Sequence, residues 1–300
     1  MKKKTVKRIA AIACTAVLSV AAMAMFAGCS TQHPQITITY TFNGKDYEVD
    51  YTLSRNDAPK TVQHFIELAD AGFYDGLCIH DYSSSYLYSG GYKLENGELN
   101  EVDYFSWVKN YEQENDFTFT QSVWTTENNP MYTVYGEFTK NFVYSEYGNE
   151  YYHKAGALVM YYTEKGNFNG DVVILRADGG KGNDGEEKDT RKYTYNSATS
   201  LFYTFTGETS TENDQKYCVF GMADDYEEQL QNGLLKAIQD YIADHTDDET
   251  EESFVFAPET TKKINTYEIF EEVSKEGREQ TFETPIETPI IVKSVKVTKY

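Results

Sequence analysis

Apolar and polar residues alternate over positions 36–42 and again over 47–53, with Asn43-Gly44 between the two runs. Period-two alternation around a pair that tolerates positive φ predicts a β-hairpin with a two-residue turn. Asp57 then precedes Ala58-Pro59, the pattern of an N-cap followed by proline in the first helical turn. Val62, Phe65, Ile66 and Ala69 recur at helical spacing, and Gly72 supplies the stop. Residues 77–88 carry β-type side chains around a serine run, and 157–162, 201–205 and 217–222 read as further strands. Residues 226–243 place Leu230, Leu234, Leu235, Ile238 and Ile242 on one face of an amphipathic helix, and 289–300 closes with an alternating strand. Mostly strand with two well-separated helices predicts a closed β-barrel with a helix at each end.

Three stretches interrupt this pattern and read as insertions. Residues 93–130 are polar and aromatic; 164–195 hold a glycine-rich loop tip at 179–185; 245–279 open with the acidic run 247–252, which reads as solvated surface. Ahead of the body, residues 1–8 are basic and 9–26 are apolar without a charge, the anatomy of a secretory signal. Phe26-Ala27-Gly28-Cys29 resembles a bacterial lipobox, in which cleavage precedes the cysteine and its thiol is lipidated. This divides the chain into a signal at 1–28, a lipidated tether at 29–35 that begins at Cys29, and one domain at 36–300. The other reading of the leader is an uncleaved transmembrane anchor, since its apolar run is just long enough to span. Both readings leave the body outside the cytoplasm.

Charge narrows the function classes. The formal net charge is −21, and five of the basic residues (Lys2, Lys3, Lys4, Lys7 and Arg8) lie in the leader, so the body is more acidic still. Binding to nucleic acid needs a basic face to neutralise phosphates, and docking on anionic lipid by electrostatics needs the same. Both are excluded as main functions. Only Cys78 and Cys218 remain in the body, too few for a disulfide framework or a zinc site. The five histidines are scattered, and there is neither a phosphate loop nor a nucleophile elbow. No metal or cofactor is expected.

The order of motifs carries more information than any of them singly. Residues 57–62, Phe65 and Gly72-Phe73-Tyr74-Asp75-Gly76 are followed by Ile79-His80, Ser89-Gly90-Gly91, Gly136-Glu137-Phe138 with Asn141, and the runs 153–160, 196–203 and 214–221. In that order they resemble the cyclophilin-type peptidyl-prolyl isomerases, over about residues 36–300 with the insertions between blocks. The resemblance implies an eight-stranded antiparallel barrel capped by two helices, and the isomerisation of Xaa-Pro bonds. That reaction needs no cofactor and no covalent step. It needs a donor aimed at the prolyl nitrogen and an apolar pocket for the ring, because the barrier is amide resonance of roughly 18–20 kcal/mol.

The pocket positions implied by the resemblance depart from the family. Its catalytic arginine falls at Asp81, and an ionised carboxylate accepts hydrogen bonds but donates none. Ser89 and Leu201 stand where the family has glutamines, and Tyr161 where it has alanine. Tyr86 and Leu87 keep an aromatic–aliphatic pair, Tyr203 is the aromatic floor, and Tyr217 ends the D-x-K-Y segment. His80 reads as structural, since amide rotation needs no general base. Arg55, Lys93 and Arg176 are candidates for a replacement cation.

Two functions follow. One is an extracytoplasmic isomerase assisting the folding of secreted proteins. The other is a non-catalytic lipoprotein that holds proline-containing peptides or extracytoplasmic proteins on the same face, a use suited to a chain with 26 tyrosines. Carbohydrate adhesion through tyrosine-rich loops ranks below both.

Overall fold

The computed structural model describes residues 31–141, 154–161, 170–175, 188–192, 198–207, 218–245, 260–264, 278–282 and 288–300. The leader with Cys29, the acidic run 247–252, Arg176 and Tyr217 lie outside the described residues.

Strands β1 (Gln35–Phe42) and β2 (Lys45–Leu53) form the expected hairpin, paired from Phe42↔Lys45 to Gln35↔Thr52. Asn43 and Gly44 both have positive φ, 47° and 73°, which matches the twist of the strands they join. Helix α1 (Pro59–Asp70) follows with Pro59 in its first turn. Its N-cap is Ala58 and not Asp57, whose carboxylate accepts instead from Ser54 Oγ at 2.5 Å. The first-turn amides are met from a distance. Glu137 accepts from the Lys60 N–H at 3.1 Å and the Thr61 N–H at 2.8 Å, one carboxylate oxygen to each.

The principal sheet is antiparallel and has nine strands, ordered β3-β16-β1-β2-β13-β9-β12-β5-β4. Its other members are β3 (Leu77–Cys78), β4 (Asp81–Tyr82), β5 (Tyr86–Ser89), β9 (Ala157–Met160), β12 (Phe202–Phe205), β13 (Cys218–Ala223) and β16 (Ile291–Lys299). The fold is therefore mainly β, a curled antiparallel sheet with few helices, and the expected count of eight strands is replaced by nine. The cause is local. Residues 77–82 pair with β16 at Leu77 and Cys78 and with β5 at Asp81 and Tyr82, so one segment supplies both ends of the strand order.

The sheet curls around a core built from Ile36, Ile38, Tyr40 and Phe42, with Val49, Tyr51 and Leu53 beside them and Leu158, Met160, Phe202 and Phe220 across. Helix α1 enters this core through Phe65, whose ring lies 4.8 Å from Tyr74, 5.3 Å from Phe202 and 4.9 Å from Phe220. The second expected helix is present in two parts. Tyr226–Leu235 is a π-helix, with the Lys236 N–H bonded to Gln231 five residues back, and it runs on into α-helical Lys236–Asp244. Leu230, Leu234, Leu235 and Ile238 face the core. Gln229 locks the wide turns to β2, accepting from the Asp50 N–H and donating to the Asp50 carboxylate.

The polar stretch 93–130 is more ordered in pattern than its composition suggests. It holds most of a small hairpin, β6 (Tyr92–Glu95) with β7 (Glu98–Glu101), then helix α2 (Tyr104–Asn115) and the short β8 (Val123–Trp124). Asp103 caps α2 by accepting from the Ser106 N–H at 3.1 Å, and Tyr104, Phe105 and Val108 are its buried side. Strands β10 (Asp171–Leu175) and β11 (Lys188–Lys192) form a three-stranded sheet with β8, while β14 (Thr260–Ile264) pairs with β15 (Arg278–Phe282). Cys78 and Cys218 are buried free thiols; Cys78 Sγ lies 3.4 Å from the Tyr92 carbonyl and Cys218 Sγ 3.4 Å from Thr61 Oγ1.

Candidate functional site

Strand alternation sorts the candidate residues onto two faces. On β5, Leu87 belongs to the main core, whereas Tyr86 and Tyr88 point the other way. On β12, Phe202 faces the core, and Tyr203 and Phe205 share the opposite side with Ala157 and Val159 of β9. Tyr161, just past β9, joins this second cluster. Tyr82 of β4 lies in the main core, which puts its neighbour Asp81 on the tyrosine side.

The pairing register joins these residues into one row. Asp81 is opposite Tyr88, Tyr88 opposite Tyr203, Tyr203 opposite Val159, and Val159 opposite Val219, across five successive strands. Directly opposed side chains on one face are in contact range. The Tyr88 ring is the centre of the row: its centroid lies 4.7 Å from Tyr86, 4.7 Å from Tyr203 and 6.0 Å from Tyr161. Tyr203 is only 3 % exposed and Phe205 4 %, while Tyr86, Tyr88, Tyr161 and Asp81 are half-buried. The face thus presents three tyrosines and a carboxylate over a sealed aromatic floor.

Its rim is held by backbone. Ser83 Oγ accepts from the N–H groups of Ser85 and Tyr86, each at 3.2 Å, and shapes the β4–β5 turn. The Thr206 N–H donates to the Ser85 carbonyl and the Thr206 hydroxyl to the Ser84 carbonyl, fastening that turn to the end of β12. At the other end of β5, Gly90 has φ +98°, and a Cβ on it would overlap the Ser200 carbonyl oxygen. Only glycine permits that approach.

The remaining candidates sit elsewhere. Ser89 is fully buried and donates from Oγ to the Cys78 carbonyl at 3.0 Å. Leu201 packs in a separate small cluster with Cys78, Tyr92 and Leu99, and its carbonyl accepts from the Tyr161 N–H at 2.9 Å. His80 is 3 % exposed, its ring tilted against that of Tyr92 with centroids 4.6 Å apart, and burial pushes its pKa down to about 3, so it is a neutral ring at any ordinary pH. Of the three candidate cations, Arg55 donates to the Thr31 carbonyl at 2.9 Å, and Lys93 belongs to the β6–β7 hairpin. Among the described residues no group of three or more His, Cys, Asp or Glu side chains could hold a metal ion.

Tyr88 and Phe205 belong to the face but not to the motif-derived candidates. The signal for Tyr88 was the alternation in Tyr-Leu-Tyr-Ser at 86–89, which groups it with Tyr86 and separates both from Leu87 and Ser89.

Residues 37–171 match the family described as cyclophilin type peptidyl-prolyl cis-trans isomerase/CLD. The match covers 135 of the 300 residues. The match takes in β1 through the start of β10, including Asp81 and the whole of β5, and ends before β12 and β13. No curated protein sequence matches the chain. Among solved structures it is similar to a Cryptosporidium parvum cyclophilin type peptidyl-prolyl cis-trans isomerase, at 13 % identity over 89 % of this chain and 99 % of that one, with a TM-score of 0.39. The same protein in the presence of the dipeptide Ala-Pro is similar at 12 % identity, the same coverages and the same score. The Mimivirus cyclophilin is similar at 13 % identity over 71 % of this chain and 81 % of that one, with a TM-score of 0.34.

Within the matched stretch, the Gly136-Glu137-Phe138 segment with Asn141 has a structural task. Glu137 caps α1, Phe138 enters the core, and Asn141 Nδ2 donates to the Gly136 carbonyl at 3.0 Å. Burial raises the Glu137 pKa to about 7, against the pull of the two amides toward the ionised form.

Proposed function

We propose that this protein is a lipid-anchored, extracytoplasmic binding protein that uses its cyclophilin-type domain to hold polypeptide on the tyrosine face without isomerising it. The observation that carries this is the state of Tyr203. At the family's pocket floor it is 3 % exposed, with Tyr88 packed 4.7 Å away and Tyr161 standing where the family has alanine. A proline ring seated on that floor would have to displace Tyr88. Asp81 compounds the change, because loss of one well-placed donor costs about 10²–10³ in rate and a carboxylate donates nothing in its place. What the face retains is half-buried tyrosine, a side chain that offers large contact area and a hydroxyl at little entropic cost.

We also propose that residues 77–82 act as a single strand, which would make the sheet the closed eight-stranded barrel that the resemblance implies; the pairing of this segment with both β16 and β5 supports that reading. Cys29 is the proposed lipid site, and the membrane is reached through that anchor. Labelling cells with a radioactive fatty acid checks the anchor: incorporation is expected in the natural chain and absent from Cys29→Ser.

Catalysis is tested by exchange NMR on a proline tetrapeptide at 10 °C, where spontaneous isomerisation takes minutes. No acceleration is expected from the natural chain or from Asp81→Arg alone, since the floor stays covered. Acceleration by the natural chain would sink the binding-only reading and establish an isomerase in which another cation serves.

A further inference from the structure

We infer that the tyrosine face is selective for cationic side chains, and that its preferred ligand is a polypeptide segment carrying lysine or arginine. This deepens the proposed function and rests on it. A donor arginine at the strand edge would make such a face repel cations; Asp81 reverses the sign. Its carboxylate occupies one end of the cross-strand row, directly opposite Tyr88, and the next side chains along that row and beside it are aromatic. Tyrosine rings carry negative electrostatic potential on their faces, so an ammonium or guanidinium within about 6 Å of a ring centroid is attracted. Tyr86, Tyr88 and Tyr161 are half-buried around one centre, with the Tyr86 and Tyr161 ring centroids 4.7 and 6.0 Å from that of Tyr88, so the rings act on a cation as a group. The protein's own chemistry shows the same pairing at two other places, with Lys188 Nζ 3.8 Å from the Trp124 ring centroid and Lys45 Nζ 4.8 Å from that of Tyr47.

The long aliphatic stems of lysine and arginine suit the site as well, since they lie along apolar ring surface while the charged head reaches the carboxylate. The net charge of −21 acts in the same direction from further away, drawing basic segments toward the surface and repelling acidic ones. The serine turn at Ser83, Ser84 and Ser85 borders the face and is held in place by its own hydrogen bonds to Tyr86 and Thr206.

The test is calorimetric titration of the full chain in a non-ionic detergent with three blocked peptides, Ala-Lys-Pro-Ala, Ala-Gln-Pro-Ala and Ala-Glu-Pro-Ala. The lysine peptide is expected to bind about tenfold more tightly than the glutamine peptide, with the glutamate peptide weakest. Asp81→Asn is expected to bring the lysine and glutamine peptides within about twofold of each other. Raising the salt to 1 M on the natural chain tests the same point without a variant, and the lysine preference is expected to shrink. Equal binding of all three peptides overturns the charge selectivity and leaves the peptide-binding reading standing. Tighter binding of the glutamate peptide overturns the selectivity outright. If none of the three binds, both readings fall.

Discussion

Replacing Glu137 with Gln separates charge from shape at the point where α1 is capped. The carboxylate is 4 % exposed and accepts from two first-turn amides. Burial nevertheless lifts its pKa from 4.5 to about 7. A pKa raised on folding means that the folded state binds the proton more tightly than the unfolded one. Stability linked to Glu137 is therefore complete below pH 4.5 and is lost as pH rises through 7. The span of about 2.5 pH units corresponds to about 3 kcal/mol. Glutamine keeps one acceptor, loses the other, and never ionises. Glu137→Gln is thus expected to be less stable than the natural chain by about 1–2 kcal/mol at pH 4.5, the cost of one buried amide left unmet. That gap is expected to close and then reverse by pH 8. Urea unfolding of a chain beginning at Ser30, followed by the fluorescence of Trp107 and Trp124, measures both profiles. Parallel profiles, with a difference constant to within about 0.5 kcal/mol from pH 4.5 to 8, would show that the carboxylate does not carry its burial cost and would refute the reasoning.

Other outcomes follow from the same geometry. His80, with its pKa depressed to about 3, contributes stability that is present above pH 6.5 and lost as pH falls toward 3; His80→Phe should lessen the loss between pH 6.5 and 5 by about 2 kcal/mol in the same assay. Gly90→Ala should lower stability by about 2–4 kcal/mol, read as a fall in the thermal midpoint, because the added Cβ meets the Ser200 carbonyl and positive φ adds strain. Phe65→Ala should cost about 3–5 kcal/mol by urea unfolding, since its ring touches Tyr74, Phe202 and Phe220 at the base of α1.

The hairpin at 35–53, α1 and the helical run at 226–244 were legible because their signals are local: alternation, a turn pair, a proline in the first turn and a helical stripe. The cap of α1 was not legible. Asp57 has the right chemistry at the right place, but the amides of Lys60 and Thr61 are met by a carboxylate 76 and 77 residues downstream, and no local pattern reports that. Helix α2 was legible in part, for Asp103 with Ser106 three residues on is a capping pattern; a weak apolar stripe of Tyr104, Phe105 and Val108 hid it. The strand count depended on one segment, 77–82, changing partners midway, which is a tertiary event. At the candidate site, the motifs located β5 and β12 but grouped Leu87 and Ser89 with Tyr86. The pleat separates them, because consecutive strand residues face opposite sides. The same pleat gathers Asp81, Tyr86, Tyr88, Tyr161 and Tyr203, and the sequence alone gave no reason to place Tyr88 at their centre.

The most direct test of the account is a map of tyrosine ring signals in a chain labelled at tyrosine, recorded by NMR while a lysine- and proline-containing peptide is added. The account predicts that Tyr86, Tyr88 and Tyr161 shift together and saturate together, that Tyr40 and Tyr51 in the core stay still, and that Tyr88→Leu abolishes the response of the other two. Saturable shifts confined to other tyrosines, such as Tyr47 on β2, would place the binding surface elsewhere and contradict it.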